Sequence, residues 1–238
     1  FKDLTADALG SIVAVLGASH PDVKVILKNS PNLLQPVIQL SENPADAIDV
    51  AITLKGPFTV ETWIKLAPNI DNNDSLLGSG ASGPDFNFYG NTLRVYGGST
   101  VGDLIVATRP MVANLWTHCA ITRDENGGMK LYLDGVLDTD KSKPFKNDLR
   151  DLKIGQSNTA KGLAYQFREY RVWNRERNAE EIRSNFLTEY TEALPQALVH
   201  RFSGDSKSIK LRGQASIQLT GDSQKRVTPK TDKGAREK

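Results

Sequence analysis

The 238-residue sequence predicts an all-β fold: an antiparallel β-sandwich with an N-terminal helix and one short helix after the last alternating strand. Two observations predict the sandwich. Short runs of alternating apolar and polar residues follow one another from about residue 36 to residue 173. Clusters of Gly, Asn, Asp and Pro separate these runs, and no convincing helix interrupts them before about residue 154. Strands at this spacing with turns between them are typical of an antiparallel sandwich.

The first segment of the chain is predicted to be a helix. Its apolar residues recur at helical spacing: Leu4, Ala8, Leu9, Ile12, Val13 and Leu16. Thr5 is a suitable N-cap and Gly17 a suitable end, and Pro21 then interrupts the pattern. Two short β-branched runs follow, at residues 23–27 and 36–40, and we expect both to be strands.

The clearest predicted strands are residues 58–66 and 165–173. In the first, one face carries Phe58, Val60, Thr62, Ile64 and Leu66, and the other carries Thr59, Glu61, Trp63 and Lys65. Between the two strands lies a predicted three-stranded meander, residues 116–137. Its first turn is the Gly-containing loop 124–128, and its second is the two-residue turn Asp134-Gly135.

One interior helix is predicted after the last clear strand. Asn178 is a suitable N-cap, and Glu181 completes an N-x-x-E pattern close to the capping box. Ile182, Phe186 and Leu187 then form an apolar stripe. We expect this short amphipathic helix to cover one end or edge of the sandwich.

Charge and cysteine content exclude several classes of function. The formal net charge is only +2, and the apolar run at residues 12–16 falls far short of the roughly 18 residues that a membrane span needs. We therefore expect no nucleic-acid partner and no membrane partner. The single Cys119 excludes an internal disulfide, a multi-thiolate zinc site and a CxxCH haem attachment.

Four segments, in order, resemble one known family: FTVETWIKL, WTHCAITRDENGGMKLYLDG, LKIGQS and FREYRVWNRERNAEEI. Together they resemble the laminin G-like, concanavalin A-type jelly-roll domain over about residues 35–190, extending to 202. The resemblance implies two curved antiparallel sheets packed face to face, with residues 198–202 as a returning strand. We expect the jelly-roll domain to occupy residues 31–203.

The two ends of the chain are assigned separately. The first 17 residues resemble the C-terminal helix of a class I c-type cytochrome, while a generic amphipathic helix explains them equally well. Residues 1–30 are therefore a helix and linker, or the end of a truncated cytochrome domain of the kind that bacterial, notably planctomycete, proteins join to such modules. Residues 204–238 carry nine Lys or Arg against four Asp or Glu, and we expect a basic strand followed by a tail or linker.

The resemblance implies binding of carbohydrate or protein, although some jelly-roll relatives are glycosidases. The carboxylate pattern E-x-D-x-E of the glucanase relatives does not occur, and adjacent acidic residues on a strand point to opposite faces. His118 and Cys119 point apart for the same reason, so they form no catalytic dyad. We expect no enzyme, no catalytic residue and no cofactor. The function expected is a lectin-like binding module in a larger extracytoplasmic protein, periplasmic or secreted; the alternative is a spacer without a ligand, and more distantly a glycoside hydrolase.

Candidate ligand contacts lie in the segment 86–96, which combines aromatic with planar polar side chains: Tyr89, Asn91, Arg94 and Tyr96. The simpler interpretation, which the sequence favours, is that strand aromatics fill the core. A weak calcium site is predicted at Asp71, Asn73 and Asp74, although such residues are also ordinary turn formers. Calcium is not favoured, since Arg168 stands where the resembled family often has a carboxylate.

Four residues are expected to be structural. Glu61 and Arg171 each share a strand face with a tryptophan, so a lone charge there would be costly, and we expect the two side chains to pair. Trp116 is expected to be buried in the core under the meander. His118 is expected to be a buried histidine that is bonded to the backbone or to a polar neighbour.

Overall fold

The computed structural model describes residues 37–70, 74–79, 83–156, 162–188, 190, 195–203 and 210–218. The predicted N-terminal helix and the predicted strand at 23–27 lie outside these residues. The described part of the chain forms sixteen strands: β1 (Val37–Leu40), β2 (Ala47–Ile48), β3 (Ile52–Leu54), β4 (Phe58–Leu66), β5 (Asp74–Gly78), β6 (Asp85–Tyr89), β7 (Thr92–Tyr96), β8 (Asp103–Val106), β9 (Trp116–Arg123), β10 (Met129–Leu133), β11 (Val136–Thr139), β12 (Leu149–Ile154), β13 (Tyr165–Trp173), β14 (Leu198–Phe202), β15 (Leu211–Arg212) and β16 (Ser216–Gln218). It also forms one helix, α1 (Ala179–Asn185).

The strands form two large antiparallel sheets. The eight-stranded sheet has the order β11-β10-β9-β4-β13-β1-β16, with β14 paired to β13, and the six-stranded sheet has the order β3-β12-β5-β6-β7-β8. The short strands β2 and β15 pair separately. An apolar core that draws side chains from both sheets lies between them. This arrangement confirms the predicted all-β sandwich with one short helix.

Strand β4 runs through the middle of the eight-stranded sheet and is buried on both faces. The apolar side chains predicted on one face, among them Phe58 and Ile64, lie in the core between the sheets. The opposite face carries Glu61 and Trp63, which are also buried. The residues on that second face are covered by α1 and the segment around it, since the Trp63 indole donates to the Phe186 carbonyl at 2.8 Å. The outer face of the eight-stranded sheet is thus buried where the segment around α1 covers β4.

The predicted meander is present, and glycine geometry explains both turns. In the β9–β10 loop, Gly127 has φ of 85°, and an added Cβ would lie 2.8 Å from the Phe145 backbone. Asp134 and Gly135 join β10 to β11 with φ of 53° and 77°, as a two-residue hairpin turn requires. A Cβ on Gly135 would lie 3.1 Å from the Phe186 ring, so this turn also lets the segment after α1 approach closely.

Helix α1 begins as the sequence predicts. Asn178 accepts from the Glu181 backbone N–H, and Glu181 accepts from the Asn178 backbone N–H, which completes a capping box. Arg175 donates to both oxygens of Glu181 at 2.6 and 3.0 Å. The hydrogen bond from Arg175 lowers the pKa of Glu181 to about 2, against an opposing effect of burial. Ile182 packs with Ala120 and fixes the helix on the sheet.

A β-bulge divides strand β13. Glu169 has φ of 49°, and the pairing with β4 shifts between Arg168 and Arg171. Before the bulge β13 pairs with β1, and after it the same edge pairs with β14. The bulge therefore determines where Glu169 and Arg171 point, and both belong to the cluster described below.

The sandwich continues past residue 203, the predicted end of the domain. Strand β16 pairs with β1 and closes that edge of the eight-stranded sheet. Asp46 helps to hold this segment, since its carboxylate accepts from the backbone N–H groups of Ser41 and Gln214. The C-terminal strand is thus part of the fold, while residues 219–238 lie outside the described part of the chain. In that part, no helix is both long enough and apolar enough to cross a membrane.

Candidate functional site

The outer face of the six-stranded sheet carries three of the four predicted ligand residues. Strands β6 and β7 alternate, and their apolar side chains enter the core: Phe86, Phe88, Leu93 and Val95. The intervening side chains face the other way: Asp85, Asn87, Tyr89, Arg94 and Tyr96. We call these five residues together with Asp103 the outer-face row. The favoured expectation that the aromatics fill the core holds for the two phenylalanines and not for the two tyrosines.

Arg94 lies at the centre of the outer-face row. Its guanidinium carbon lies 4.9 Å from the centroid of the Tyr89 ring and 5.5 Å from that of Tyr96. Its Nε donates to Asn87 Oδ1 at 2.6 Å, and its Nη1 donates to Asp103 Oδ1 at 3.1 Å. The side chain is only 11% exposed. These contacts hold the guanidinium in place between two aromatic rings.

Asp85 is one of three buried members of the row, with Asn87 and Arg94. It is 2% exposed, and its Oδ1 accepts from Asn87 Nδ2 at 2.8 Å. Its Oδ2 is buried and has no hydrogen-bond partner. Burial raises the pKa of Asp85 to about 6, although the hydrogen bond from Asn87 and the charge of Arg94 oppose this change. An unpartnered carboxylate oxygen in this position is an unmet hydrogen-bond acceptor.

Two of the predicted ligand residues, Tyr89 and Asn91, differ in exposure and in bonding. Tyr89 is 58% exposed and offers an aromatic surface at the edge of the row. Asn91 lies in the turn between β6 and β7, and its Nδ2 donates to the Met111 carbonyl at 3.1 Å. Its amide thus holds the neighbouring loop. Sequence reasoning missed Asp85, Asn87 and Asp103, although the D-x-N-x-Y alternation over residues 85–89 was a signal for the first two.

A second polar cluster lies under α1, around Glu61. This carboxylate is fully buried, and its Oε1 accepts from Arg177 Nη1 at 2.5 Å and from Trp173 Nε1 at 2.9 Å. Arg171 Nη1 lies 3.5 Å from the same oxygen. Arg171 Nε also donates to Glu169 Oε2 at 3.0 Å. Arg177 was missed, because the sequence run N-R-E-R does not show which arginine reaches back to the sheet.

His118 completes this cluster and is only 1% exposed. Its ring lies 5.6 Å from those of Trp63 and Phe186, and its Nε2 lies 3.6 Å from Glu61 Oε2, beyond hydrogen-bond reach. Its Nδ1 has no hydrogen-bond partner, so the histidine is buried as expected but lacks the expected hydrogen bond to the backbone or to a polar neighbour. Burial lowers the pKa of His118 well below its usual value, and the charges of Arg171 and Arg177 lower it further. The imidazole is therefore neutral, and its contact with Glu61 is no ion pair.

Trp116 corrects one expectation from the sequence. It is half-buried and not part of the core. It shares the outer face with His118 and Ala120 and lies at the start of β9. Its partner there is Arg168, whose guanidinium carbon lies 5.1 Å from the Trp116 ring.

Two acidic side chains in a surface cleft and the single thiol already have their own surroundings in the described part of the chain. An open cleft of about 520 Å³ contains Asp124 and Glu176, which already accept from backbone N–H groups and from Lys130, respectively. Cys119 points into the core, and burial raises its pKa to about 12. In the described part of the chain, no group of three His, Cys, Asp or Glu side chains could hold a metal ion. The predicted metal residues Asp71 and Asn73, and the side chain of Asp74, lie outside that part.

Two antiparallel sheets packed face to face, with one short helix on the larger sheet, define a concanavalin A-like sandwich. Residues 41–183, more than half of the chain, match the profile of Laminin_G_3, described as "Concanavalin A-like lectin/glucanases superfamily". The chain belongs to this family, as the sequence resemblance predicts.

Solved structures share this fold at low sequence identity. One is a putative carbohydrate binding protein from Bacteroides ovatus, with a TM-score of 0.56 and 16% identity over 78% of this chain. This chain spans 60% of that protein's length. Another is a heptameric SAP-like pentraxin from Limulus polyphemus, with a TM-score of 0.57 and 11% identity over 79% of this chain and 96% of the pentraxin. No curated protein matches the chain significantly.

Proposed function

We propose that this domain is a non-catalytic carbohydrate-binding module of a larger extracytoplasmic protein, and that its ligand lies on the outer-face row. One observation carries the proposal: the exposed ring of Tyr89 borders a fixed set of polar side chains on a sheet face. Sugar rings stack on exposed aromatics, and their hydroxyl groups need hydrogen-bond partners of defined direction. The family to which the chain belongs, and the Bacteroides ovatus protein of the same fold, support this function.

The row is organised before any ligand arrives. Arg94 is held by Asn87 and Asp103 and lies against two tyrosine rings. Side chains that are already fixed lose little conformational freedom on binding, so more of the contact energy appears as affinity. A spacer domain without a ligand has no need of such an arrangement on an outer face.

We propose a non-catalytic domain because the strand carboxylates of the described residues are engaged in contacts within the protein. Glu61 accepts from Arg177, and Glu169 accepts from Arg171 and Arg201. A glycosidase carboxylate must contact the substrate, whereas both of these side chains are buried and already bonded within the protein. These strand carboxylates are therefore suited to a structural role.

A glycan array with the purified domain tests the proposal. We expect the wild-type domain to bind at least one oligosaccharide, and Tyr89→Ala to weaken that binding about tenfold through loss of the stacking surface. Val199→Ala is the matched control, because Val199 is similarly exposed but lies on the eight-stranded sheet. If the folded wild-type domain binds no glycan, the spacer alternative replaces this proposal. Fractionation of cells that make the full-length protein tests the extracytoplasmic location.

A further inference from the structure

The hydrogen bonds of the outer-face row form one chain that ends at an exposed carboxylate. Asp85 Oδ1 accepts from Asn87 Nδ2 at 2.8 Å, and Asn87 Oδ1 accepts from Arg94 Nε at 2.6 Å. Arg94 Nη1 then donates to Asp103 Oδ1 at 3.1 Å. The chain begins at Asp85, which is 2% exposed, and ends at the side chain of Asp103, which is 42% exposed. Asp103 is therefore a fixed acceptor that the row presents to solvent.

A β-bulge in β8 places Asp103 on the outer face. The pairing with β7 shifts after Ile105, so that Asp103 lies opposite Tyr96 and Leu104 is the extra residue. Leu104 and Ile105 are consecutive, yet both enter the core. In a regular strand, alternation would turn position 103 to the same face as Ile105, and its carboxylate would point into the core.

One carboxylate oxygen of Asp103 is free to accept a hydrogen bond. Among the described residues, this carboxylate accepts only from Arg94, through Oδ1, so Oδ2 has no protein partner there. Unlike the sealed Oδ2 of Asp85, it belongs to a half-exposed side chain that a ligand on this face can contact. Because Arg94 holds the other oxygen, the direction in which Asp103 Oδ2 accepts is fixed before a ligand binds.

The surface around Asp103 suits the C–H faces and hydroxyl groups of a neutral sugar. Tyr89 is 58% exposed and lies against the Arg94 guanidinium, and Val106, 39% exposed, lies opposite Arg94 on β8. These two apolar surfaces and Asp103 thus adjoin one guanidinium, within the span of a short oligosaccharide. Arg94 already donates to Asn87 and Asp103, so an acidic group on a ligand would meet the exposed charge of Asp103.

We propose that Asp103 is the specificity-determining acceptor of the outer-face row, receiving a hydroxyl hydrogen from a neutral glycan and disfavouring glycans that contain uronates. This inference rests on the proposed function, because it concerns the same face. It adds the class of ligand and the residue that selects it.

The test uses the whole chain at neutral pH and calorimetry with neutral cello-, xylo-, manno- and arabino-oligosaccharides beside oligogalacturonides. The wild-type protein should bind a neutral member about tenfold or more tightly than any uronate. In Asp103→Asn, Arg94 holds the amide oxygen, so an NH2 group takes the place of the free acceptor. This variant should bind the neutral glycan about tenfold more weakly and lose most of its discrimination against uronates.

Asp148→Asn is the matched control. Asp148 is also partly exposed and also accepts from an arginine, Arg150, at 2.7 Å, but it lies next to β12, across the sheet from β8. This variant should bind like the wild type. Exposed ion pairs contribute little to stability, so Asp103→Asn should stay folded, and circular dichroism of both variants checks this.

The outcomes separate this inference from the proposed function. If no glycan of any kind binds the wild type, the proposed function fails. If a neutral glycan binds and Tyr89→Ala weakens it, but Asp103→Asn changes neither affinity nor discrimination, only the role of Asp103 fails. Preference of the wild type for oligogalacturonides also overturns that role.

Discussion

Arg177 lies closer to Glu61 than Arg171 does, with Nη1–Oε1 distances of 2.5 and 3.5 Å. Arg177 comes from the segment between β13 and α1, so the buried carboxylate of the sheet is bonded to the segment that leads into the helix. Arg177 Nη2 also donates to the Glu181 carbonyl within α1 at 2.8 Å. The cluster around Glu61 therefore couples the helix to the eight-stranded sheet.

Breaking this cluster should destabilise the fold. Arg177→Met leaves Glu61 with the more distant guanidinium of Arg171, and we expect a loss of about 3 kcal/mol in the free energy of unfolding. Glu61→Gln and Arg171→Lys should each destabilise as well. In urea melts, the double mutants with Glu61→Gln should lose less than the sum of the single losses. Additive losses would show that these side chains do not interact energetically.

Two tryptophans on the same sheet face should differ in their contribution to stability. Trp63 is buried against Phe186 and donates to its carbonyl, so Trp63→Ala should cost about 3–5 kcal/mol. Trp116 is half-buried, and Trp116→Ala should cost only about 1–2 kcal/mol. Urea melts of the two variants give the comparison directly. A larger loss for Trp116 would place that ring in the core after all.

His118 should make the protein less stable in mild acid. Its pKa is lowered in the folded state, chiefly by burial, so below about pH 6.5 the unfolded chain binds a proton that the folded chain does not. Stability should therefore fall as pH decreases from 7 to 5. Urea melts of wild type and His118→Gln over this range measure the effect, and the variant should have the smaller slope. Equal slopes would contradict a neutral buried imidazole.

Asp85 should change stability with pH in the opposite direction to His118. Its pKa is raised from 3.8 to about 6, so between these values the folded chain binds more protons than the unfolded chain. The free energy of unfolding is therefore higher in acid, where Asp85 is protonated, and decreases as pH rises. Above pH 6 the buried ionised carboxylate lowers it by up to about 3 kcal/mol. Asp85→Asn should therefore raise the melting temperature at pH 8 and change it little at pH 4. An unchanged melting temperature at pH 8 would show that the carboxylate is well solvated or paired.

Calcium should leave thermal stability unchanged. Arg168 occupies the position of a carboxylate in the resembled family, and its guanidinium lies against the Trp63 and Trp116 rings. A cation bound only by the folded state would raise the melting temperature by mass action. Scanning calorimetry with millimolar Ca²⁺ and with chelator should give the same transition. A rise of several degrees with Ca²⁺ would establish a site.

The alternation of apolar residues predicts much of the fold, because each strand must place one face in the core. It predicts β4 and the meander from β9 to β11, while the N-x-x-E pattern predicts the capping box at Asn178. It does not predict which partner a buried charge takes. Glu61 and Arg171 were paired from strand pattern alone, whereas Arg177 acts from a segment without periodicity, and its reach depends on the chain path after Trp173.

Part of the outer-face row could not be predicted from the sequence, for a different reason. For the aromatic residues of the segment 86–96 the sequence favours a place in the core, which is right for Phe86 and Phe88 and wrong for Tyr89 and Tyr96. Strand alternation settles the choice between core and surface once the core face of β6 is known, since Phe86 and Phe88 then place Asp85 and Asn87 on the opposite side. The raised pKa and the unpartnered oxygen of Asp85 depend on burial by neighbouring strands, which the local sequence does not contain.

The bulge at Glu169 shifts the alternation of side chains along β13 by one residue. Before it, the odd-numbered Tyr165 and Phe167 enter the core; after it, the even-numbered Tyr170 and Val172 do so. Removing the codon for Glu169 would restore an ordinary alternation and leave every other side chain of the strand on its present face. An aligned relative one residue shorter at this point would keep the same architecture, while losing the acid that joins Arg171 to Arg201.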